Sequence, residues 1–443
     1  MSAPEAQIGI AERRSTRLPT ILRGGWPWLV VLAIAILLPW LFFDWTKGRH
    51  SGFVLSLMSQ MGLMIVFALS YNMQMGQAGL LSFGHAIFLG LGGYFTIHAM
   101  NAIDAGALWL PVELLPVIGG LAGVVFAIVI GYIVTKQRGT AYAMITLGVG
   151  ELVSAAALMF NGFFGGEGGV TANRVLPTSI FGLGYSAGIQ VYYLILAWTA
   201  IAVALMLLLT QVPIGRMANA CRDNSERAQF VGYDPRLVRF YQVALSGLFA
   251  GIAGALYAIN YEIVTFDAVN AVMSANALLM TFIGGVGVFW GPMVGAVLVT
   301  LLQSWVSLLS NSWLVYVGTL FIVMVIYAPG GIAGLIMAHR PFWEARRLSA
   351  LILPYLRIVP PALVAVLGFV GLVELCTSAT IGSHQGKALQ LFHHEIDTSS
   401  PQAWVIAAAL LLGGLLVTRY QSRVFATTWS TLTAETTQGA TRQ

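Results

Sequence analysis

The apolar stretches of this sequence contain few side chains that could do chemistry. Asn72, Gln74, Gln77, His85, Glu151 and Glu374 are the ones that stand out. An ionisable group inside a long apolar segment is costly to bury, so each is a functional candidate until a partner is found for it. Glu151 follows Gly150 in an apolar run; it either lines a path for a polar solute or sits near a membrane face paired with a base such as Lys136. His85, as a neutral imidazole, either faces that path or hydrogen-bonds a neighbouring helix. Asn72, Gln74 and Gln77 flank an expected helix break, where amide side chains can satisfy freed backbone groups. The path candidates are therefore Asn72, Gln77, His85 and Glu151, each with a structural alternative. Catalysis has no support, because no nucleophile sits near a base. Cys221 and Cys376 are far apart in unlike surroundings, with neither disulfide nor metal-ligand spacing, so no metal or cofactor is expected.

The longest strongly charged segment is Gln211–Arg239. Pro213 and Gly215 open it, and Gly232 to Pro235 close it. Between them, Arg216 to Val231 reads as one short helix, with Met217, Ala220, Cys221, Ala228 and Val231 on a less polar stripe. Arg222, Asp223, Glu226 and Arg227 project elsewhere, and Glu226, four residues after Arg222, is spaced to pair with it. Such a helix is either a plain connector or a face offered to a groove on a partner.

The elements that hold these residues follow from composition. The chain has 443 residues, 58% hydrophobic and 9% charged. Soluble domains carry about 25% charged residues, so this chain cannot keep a surface wet and must be solvated by lipid. Residues 50–103, 175–215 and 268–339 contain no Asp, Glu, Lys or Arg. A span takes about 20 apolar residues, and continuously apolar runs exclude a barrel, whose strands alternate in polarity. The fold class is an all-α polytopic membrane protein with about 10 spans, in the range 8–12. Candidate spans cover 26–43, 53–75, 79–100, 112–135, 140–160, 191–210, 240–260, 274–289, 291–310, 313–336, 359–380 and 403–418. The 274–289 segment is short and Gly-rich, in keeping with a half-span or broken helix. The 403–418 span is marginal in length. The apolar run Trp26–Phe43 lacks a small-residue cleavage site and reads as a retained helix, not a signal peptide.

Basic residues cluster at Arg13–Arg23, Lys136 with Arg138, Arg216–Arg239, Arg340–Arg357, and Arg419 with Arg423. These fall on one side if every span crosses. Asp104, Glu113, Glu167, Glu262, Asp267 and Asp397 fall on the other. The positive-inside rule makes the basic side cytoplasmic, with both termini inside; Lys47 and Arg49 are the exception. The net charge of +5 is thus topological and does not imply nucleic-acid binding. Glycines such as Gly247 and Gly251 lie inside spans, at the spacing that lets helices approach closely. Leu80-Leu81-Ser82-Phe83 and Leu279-Met280-Thr281-Phe282 hint weakly at an internal repeat.

Several ordered motifs carry a family resemblance. They are Gly215-Arg216-x6-Arg222-Asp223-Asn224-x-Glu226-Arg227-Ala228-x3-Gly232, then Ser246-x3-Ala250-Gly251-x-Ala253-Gly254-Ala255-Leu256-Tyr257. Before them come Asn72-x3-Gly76-Gln77-Ala78-Gly79-x2-Ser82-Phe83-Gly84-His85 and Gly139-Thr140-x-Tyr142-Ala143-Met144-Ile145-Thr146-Leu147. After them come Gly284-Gly285-x-Gly287-x3-Gly291-Pro292 and Tyr327-Ala328-Pro329-Gly330-Gly331-Ile332. Over residues 50–338 the chain resembles the M-type permease of branched-chain amino acid ABC importers. The resemblance implies a permease fold with broken or re-entrant helices. It implies that the segment 213–232 is a coupling helix docking on a separate ATPase, with Gly215, Arg216, Arg222, Asp223, Asn224 and Glu226 as contact positions. It also implies the partners: a second permease forming a heterodimer, two ATP-binding subunits, an external substrate-binding protein, and the inner (cytoplasmic) membrane around them. The chain has no phosphate-binding G-x-x-x-x-G-K-[ST] loop of its own, consistent with a transport subunit and not an enzyme. The domain reading is a cytoplasmic tail at 1–25, a permease domain at 26–338, and an extension at 339–443 with two candidate spans and a polar tail. Two departures stand out. Gly165-Gly166-Glu167-Gly168-Gly169-Val170 keeps only the glycines of the family's outer loop, and the extension has no counterpart. Urea and short amides are the alternative substrates. An ion-gradient carrier is the alternative of another class, for which Glu151 alone offers a mid-bilayer ion site.

Overall fold

The computed structural model describes residues 26–44, 49–310, 312–344, 349–381, 389–391, 394–396 and 401–441. The basic tail with Arg13, Arg14, Arg17 and Arg23, and the loop residues Lys47 and Asp397, lie outside the described residues. The chain divides into two units, Met1–Leu55 and Ser56–Gln443. In the first, helix α1 (Trp26–Leu41) has 16 residues and contains Pro39. A two-residue hairpin follows, β1 (Phe43–Asp44) with β2 (Arg49–His50), and the His50 ring bonds the Pro39 carbonyl at 3.1 Å.

The second unit is a helical bundle. Its helices are α2 (Gly52–Asn72, which belongs to this unit from Ser56 on), α3 (Ala86–Asp104), α4 (Leu115–Val134), α5 (Gly139–Met159) and α6 (Gly188–Gln211). Two short helices follow, α7 (Pro213–Asp223) and α8 (Ser225–Phe230), then α9 (Pro235–Tyr261), α10 (Ala271–Gly284), α11 (Gly291–Leu309), α12 (Trp313–Tyr327) and α13 (Gly331–Ala338). The chain continues through α14 (Arg340–Glu344), α15 (Ser349–Ile381) and α16 (Pro401–Thr441). Among the described residues, nine helices are long and apolar enough to cross a membrane, or ten if the pair α12 and α13, bent by 45°, is one span. The fold is a polytopic all-α membrane protein.

The core is the trio α3, α4 and α9, and α9 is the most buried span. Backbone contact sets this packing. A Cβ on Gly251 would drive into the Gly119 carbonyl, one on Gly123 into the Gly247 carbonyl, and one on Gly254 into the Leu89 carbonyl. Without a hydrophobic drive between helices in lipid, such close approach supplies the dispersion energy of association. A second glycine seam, Gly284 against Gly291 and Gly295, folds α10 back on α11.

Several sequence expectations change. The span expected at 79–100 starts as a helix only at Ala86. A π-helical turn at Met73–Gln77 ends α2, Gly79 takes φ +68°, and residues 79–84 are non-helical. The hinted repeat does not survive, because Leu80–Phe83 is non-helical whereas Leu279–Phe282 lies within α10. The short segment is a 14-residue helix, α10, with Asn270 Oδ1 accepting from Met273 N at its start and Gly285 at φ +116° ending it. At about 1.5 Å per residue it covers about 21 Å, short of the hydrocarbon core. The two candidate spans of the extension are long helices packed as a hairpin, α15 and α16, and the segment expected as a polar tail continues α16 to Thr441. α16 runs 41 residues, and past Arg423 it meets no Pro and no Gly before Gly439.

Candidate functional site

Lys136 and Arg236 lie at one end of the core trio, and Glu262 and Glu113 at the other. At the basic end, Lys136 and Arg236 both approach the Tyr132 ring, at 5.0 and 5.9 Å from its centroid. Lys136 is thus engaged there, and it does not pair with Glu151. At the acidic end, β3 (Val170–Thr171) pairs antiparallel with β4 (Ile263–Val264). Arg174 joins them: its backbone N donates to Glu262 Oε1 at 3.0 Å, and its guanidinium donates to the Asn260 and Tyr185 carbonyls. The glycines of the 165–169 loop fit here. Gly165, Gly166 and Gly169 all have positive φ, and a Cβ on Gly169 would meet the Val264 carbonyl.

The segment expected to dock on a partner lies at the basic end, with one change. It is two helices, not one. Pro213 opens α7 at a position where its missing N–H costs nothing. At Asn224 the backbone becomes extended (φ −154°), and its Oδ1 accepts from Arg227 N at 3.0 Å, capping α8. An Asn two residues ahead of Glu226 is a helix-start signal that a continuous-helix reading overlooks. The break takes Glu226 off the helical turn of Arg222, so the expected pair between them does not form. Arg222 Nε instead donates to Asp223 Oδ1 at 3.0 Å.

The buried stripe also differs. Gly215, Ala218 and Cys221 face inward at every third position, joined by Ala228 and Val238, with Met217 packed against them. Ala220 and Val231 are exposed, and the burial of Cys221 pushes its thiol pKa up. What the segment presents outward is Arg216, Asp223, Asn224, Glu226 and Arg227, beside Phe230 at 90% and Val231 at 74% exposure. A charged rim around two exposed apolar side chains is the makeup of a docking surface.

Arg222 does something that the sequence reading did not foresee. Its Nη1 donates to the Gly76 carbonyl, and its aliphatic stem lies against Gly79. A π-turn leaves backbone carbonyls without their usual partners. The guanidinium thus meets the carbonyl that the nearby amides were expected to satisfy. Asn72 Oδ1 and Gln77 Oε1 have no hydrogen-bond partner among the described residues, although both residues are buried. Gln74 Nε2 instead reaches Ser246 Oγ on α9 at 2.6 Å. His85 is fully buried. Its Nε2 lies 2.9 Å from Ser70 Oγ on α2, and its ring stacks on Phe67. Glu151 stands apart from all of these, exposed on the outward face of α5.

Glu113 was placed only in an acidic loop, yet its carboxylate organises the acidic end. It accepts from Ser179 Oγ (2.7 Å), Ile180 N (3.1 Å) and Tyr185 OH (2.9 Å). Burial, then the bond to Glu113, raises the Tyr185 phenol pKa. These partners lie 66 to 72 residues away in the chain, so no local pattern announces them. Among the described residues, no three His, Cys, Asp or Glu side chains gather as a metal site.

A family profile described as the branched-chain amino acid transport system permease component matches residues 53–328. Three relatives extend the comparison. The high-affinity branched-chain amino acid transport system permease protein LivM of Escherichia coli is 27% identical over 290 residues, which is 60% of this chain and 67% of the relative. The probable branched-chain amino acid transport permease protein LivM of Methanocaldococcus jannaschii is 23% identical over 323 residues, covering 61% and 90%. The ribose import permease protein RbsC of Haemophilus influenzae is 27% identical over 237 residues, covering 51% and 70%. No solved structure matches the chain.

Proposed function

The chain belongs to the family of branched-chain amino acid transport system permease components, and from that premise we propose that it is the membrane-spanning subunit of an ATP-driven importer of branched-chain or related amino acids. The observation that carries the mechanism is the pair of short helices at the basic end. Their outer face is charged around Phe230 and Val231, and their inner face is pinned by Arg222 to the π-turn at Met73–Gln77.

In this reading an ATP-hydrolysing subunit docks on the outer face, and Arg216, Asp223, Asn224 and Glu226 belong to the contact, whereas Gly215, expected among them, is buried on the inner face where its missing Cβ lets α7 turn close to the Leu209 carbonyl. Closure of that subunit moves α7 and α8 as a rigid body. Arg222 carries the movement to the π-turn, and so to the break between α2 and α3. Asn72, Gln77 and His85 sit at that break. Residues 26–338 form the transport domain and 339–443 an appended hairpin. The second permease, a pair of ATPase subunits, an external binding protein and placement in the cytoplasmic membrane complete the proposal. The ion-driven carrier finds no support in the docking segment, which a carrier would leave without a role.

The test is uptake into proteoliposomes holding the chain with its co-purified partners. Labelled leucine should accumulate with ATP inside and binding protein outside, and not with a proton or sodium gradient alone. Accumulation driven by the gradient in the absence of ATP would reject the importer. Uptake of urea with no uptake of amino acids would change the substrate class.

A further inference from the structure

We propose that the outward face of α5 lines the substrate path, and that the Glu151 carboxylate is the counter-charge for the ammonium group of the translocated amino acid. The inference rests on the importer reading and adds a residue and a chemistry to it.

The helix has two unlike faces. Tyr142, Ala143, Thr146, Gly150, Ser154 and Ala157 are buried in the bundle. Thr146 is fixed there, accepting from Phe83 N at 3.2 Å, with Gly84 pressed on its carbonyl. The other face presents Met144, Gly148, Glu151, Leu152, Ala155 and Met159, all exposed. A Cβ on Gly148 would meet nothing within 4 Å.

Glu151 is 12 residues from the start of α5 at Gly139, which at about 1.5 Å per residue places it about 18 Å along the span. That is near the middle of a hydrocarbon core about 30 Å thick. It makes no ion pair or hydrogen bond among the described residues. A carboxylate held at that depth against lipid is costly, so such residues face a bundle interior or a wet cavity. Among the described residues, the cavity found beside α5 is too small for that. The cavity behind its buried face, between Ser82, Tyr142, Thr146 and Val243, holds about 10 Å³. That is room for about one water, against roughly 300 Å³ or more for a ligand site.

The wet space must then lie outside α5, closed by the second permease chain of the complex. Within it, an unpaired carboxylate attracts a cationic group, and an amino acid brings an ammonium. The neighbouring Gly148 and Ala155 leave room for the side chain of the substrate to pass. A neutral amide such as urea has no use for the charge.

The experiment uses the complete complex in proteoliposomes. Cys221 and Cys376 are first replaced by Ala, and single cysteines are placed at 148, 151 and 155, with 143 and 157 as buried-face controls. A trimethylammonium thiosulfonate, which does not cross lipid, should modify the first three and spare the controls. Glu151→Gln should lower leucine uptake at least tenfold at unchanged recovery of the partner permease, and Glu151→Asp should restore most of it. No modification at 148, 151 and 155 would place the face against lipid or a dry interface and overturn the proposal. So would wild-type uptake by Glu151→Gln, or loss of the partner from that variant, which would make Glu151 an assembly residue. If the wild-type complex moves leucine with ATP while Glu151→Gln matches it, this inference alone fails. If the wild-type complex moves no amino acid, the importer reading fails and takes this inference with it.

Discussion

Arg222 ties the paired helices α7 and α8 to the membrane bundle. Its guanidinium bonds the Gly76 carbonyl and Asp223, so one side chain spans the contact between the outward-facing helices and the π-turn. A hydrogen bond to a charged group contributes about 1.5–3 kcal/mol, which is about a tenfold effect or more. Arg222→Ala should leave ATP hydrolysis by the assembled complex in place and lower leucine moved per ATP about tenfold. Measuring both rates in one preparation decides this, and an unchanged ratio would remove Arg222 from the linkage. The sequence showed that Arg222 belongs to a meaningful segment but not which way it points. Its partner is a backbone carbonyl 146 residues earlier, freed only by the π-turn. The same limit hid Glu113, whose donors lie in a loop that folds back onto the turn Val112–Leu114 ahead of α4.

At the scale of elements, the charge-free runs made most helices legible, because lipid forces each backbone group to be satisfied within its own segment. The misreadings share one cause: where local capping or sterics end a helix, the hydropathy pattern continues unbroken. Asn224 splits α7 from α8 by capping, and Gly79 with the π-turn delays α3 to Ala86, while the pattern reads straight through both. Glycine spacing, by contrast, pointed correctly to the packing of α9. Its consequence is measurable. At Gly251 a side chain would press on the Gly119 carbonyl, and overpacking costs about 1–3 kcal/mol even where a core can yield. Backbone yields less, so Gly251→Leu should abolish the folded peak in detergent size-exclusion chromatography. Gly148→Leu, on an open face, should leave that peak intact. Equal yields of the two would mean that the α4–α9 seam does not set the fold.

At the scale of the molecule, charge marks the two ends of the core trio, with Arg174 as a base among the acids. Basic loops meet at the end that carries α7 and α8, and acidic loops meet around β3, β4 and Glu113. The appended hairpin, α15 and α16, is tied to the bundle near both ends of α15. Glu374 accepts from Tyr316 OH on α12 at 2.6 Å, while His339 bonds Tyr355 at 2.7 Å near the other end of α15. Family resemblance over residues 50–338 was readable from ordered motifs, and the family match over 53–328 agrees with it. The hairpin beyond has no such motif, so only its helices could be anticipated. The most direct measurement is a photo-crosslinking residue in place of Phe230 in the assembled complex, in native membranes. The account predicts a crosslink to the ATP-hydrolysing subunit that shifts in yield when ATP is trapped. A crosslink to the external binding protein, or labelling of position 230 by an impermeant reagent added outside, would contradict it.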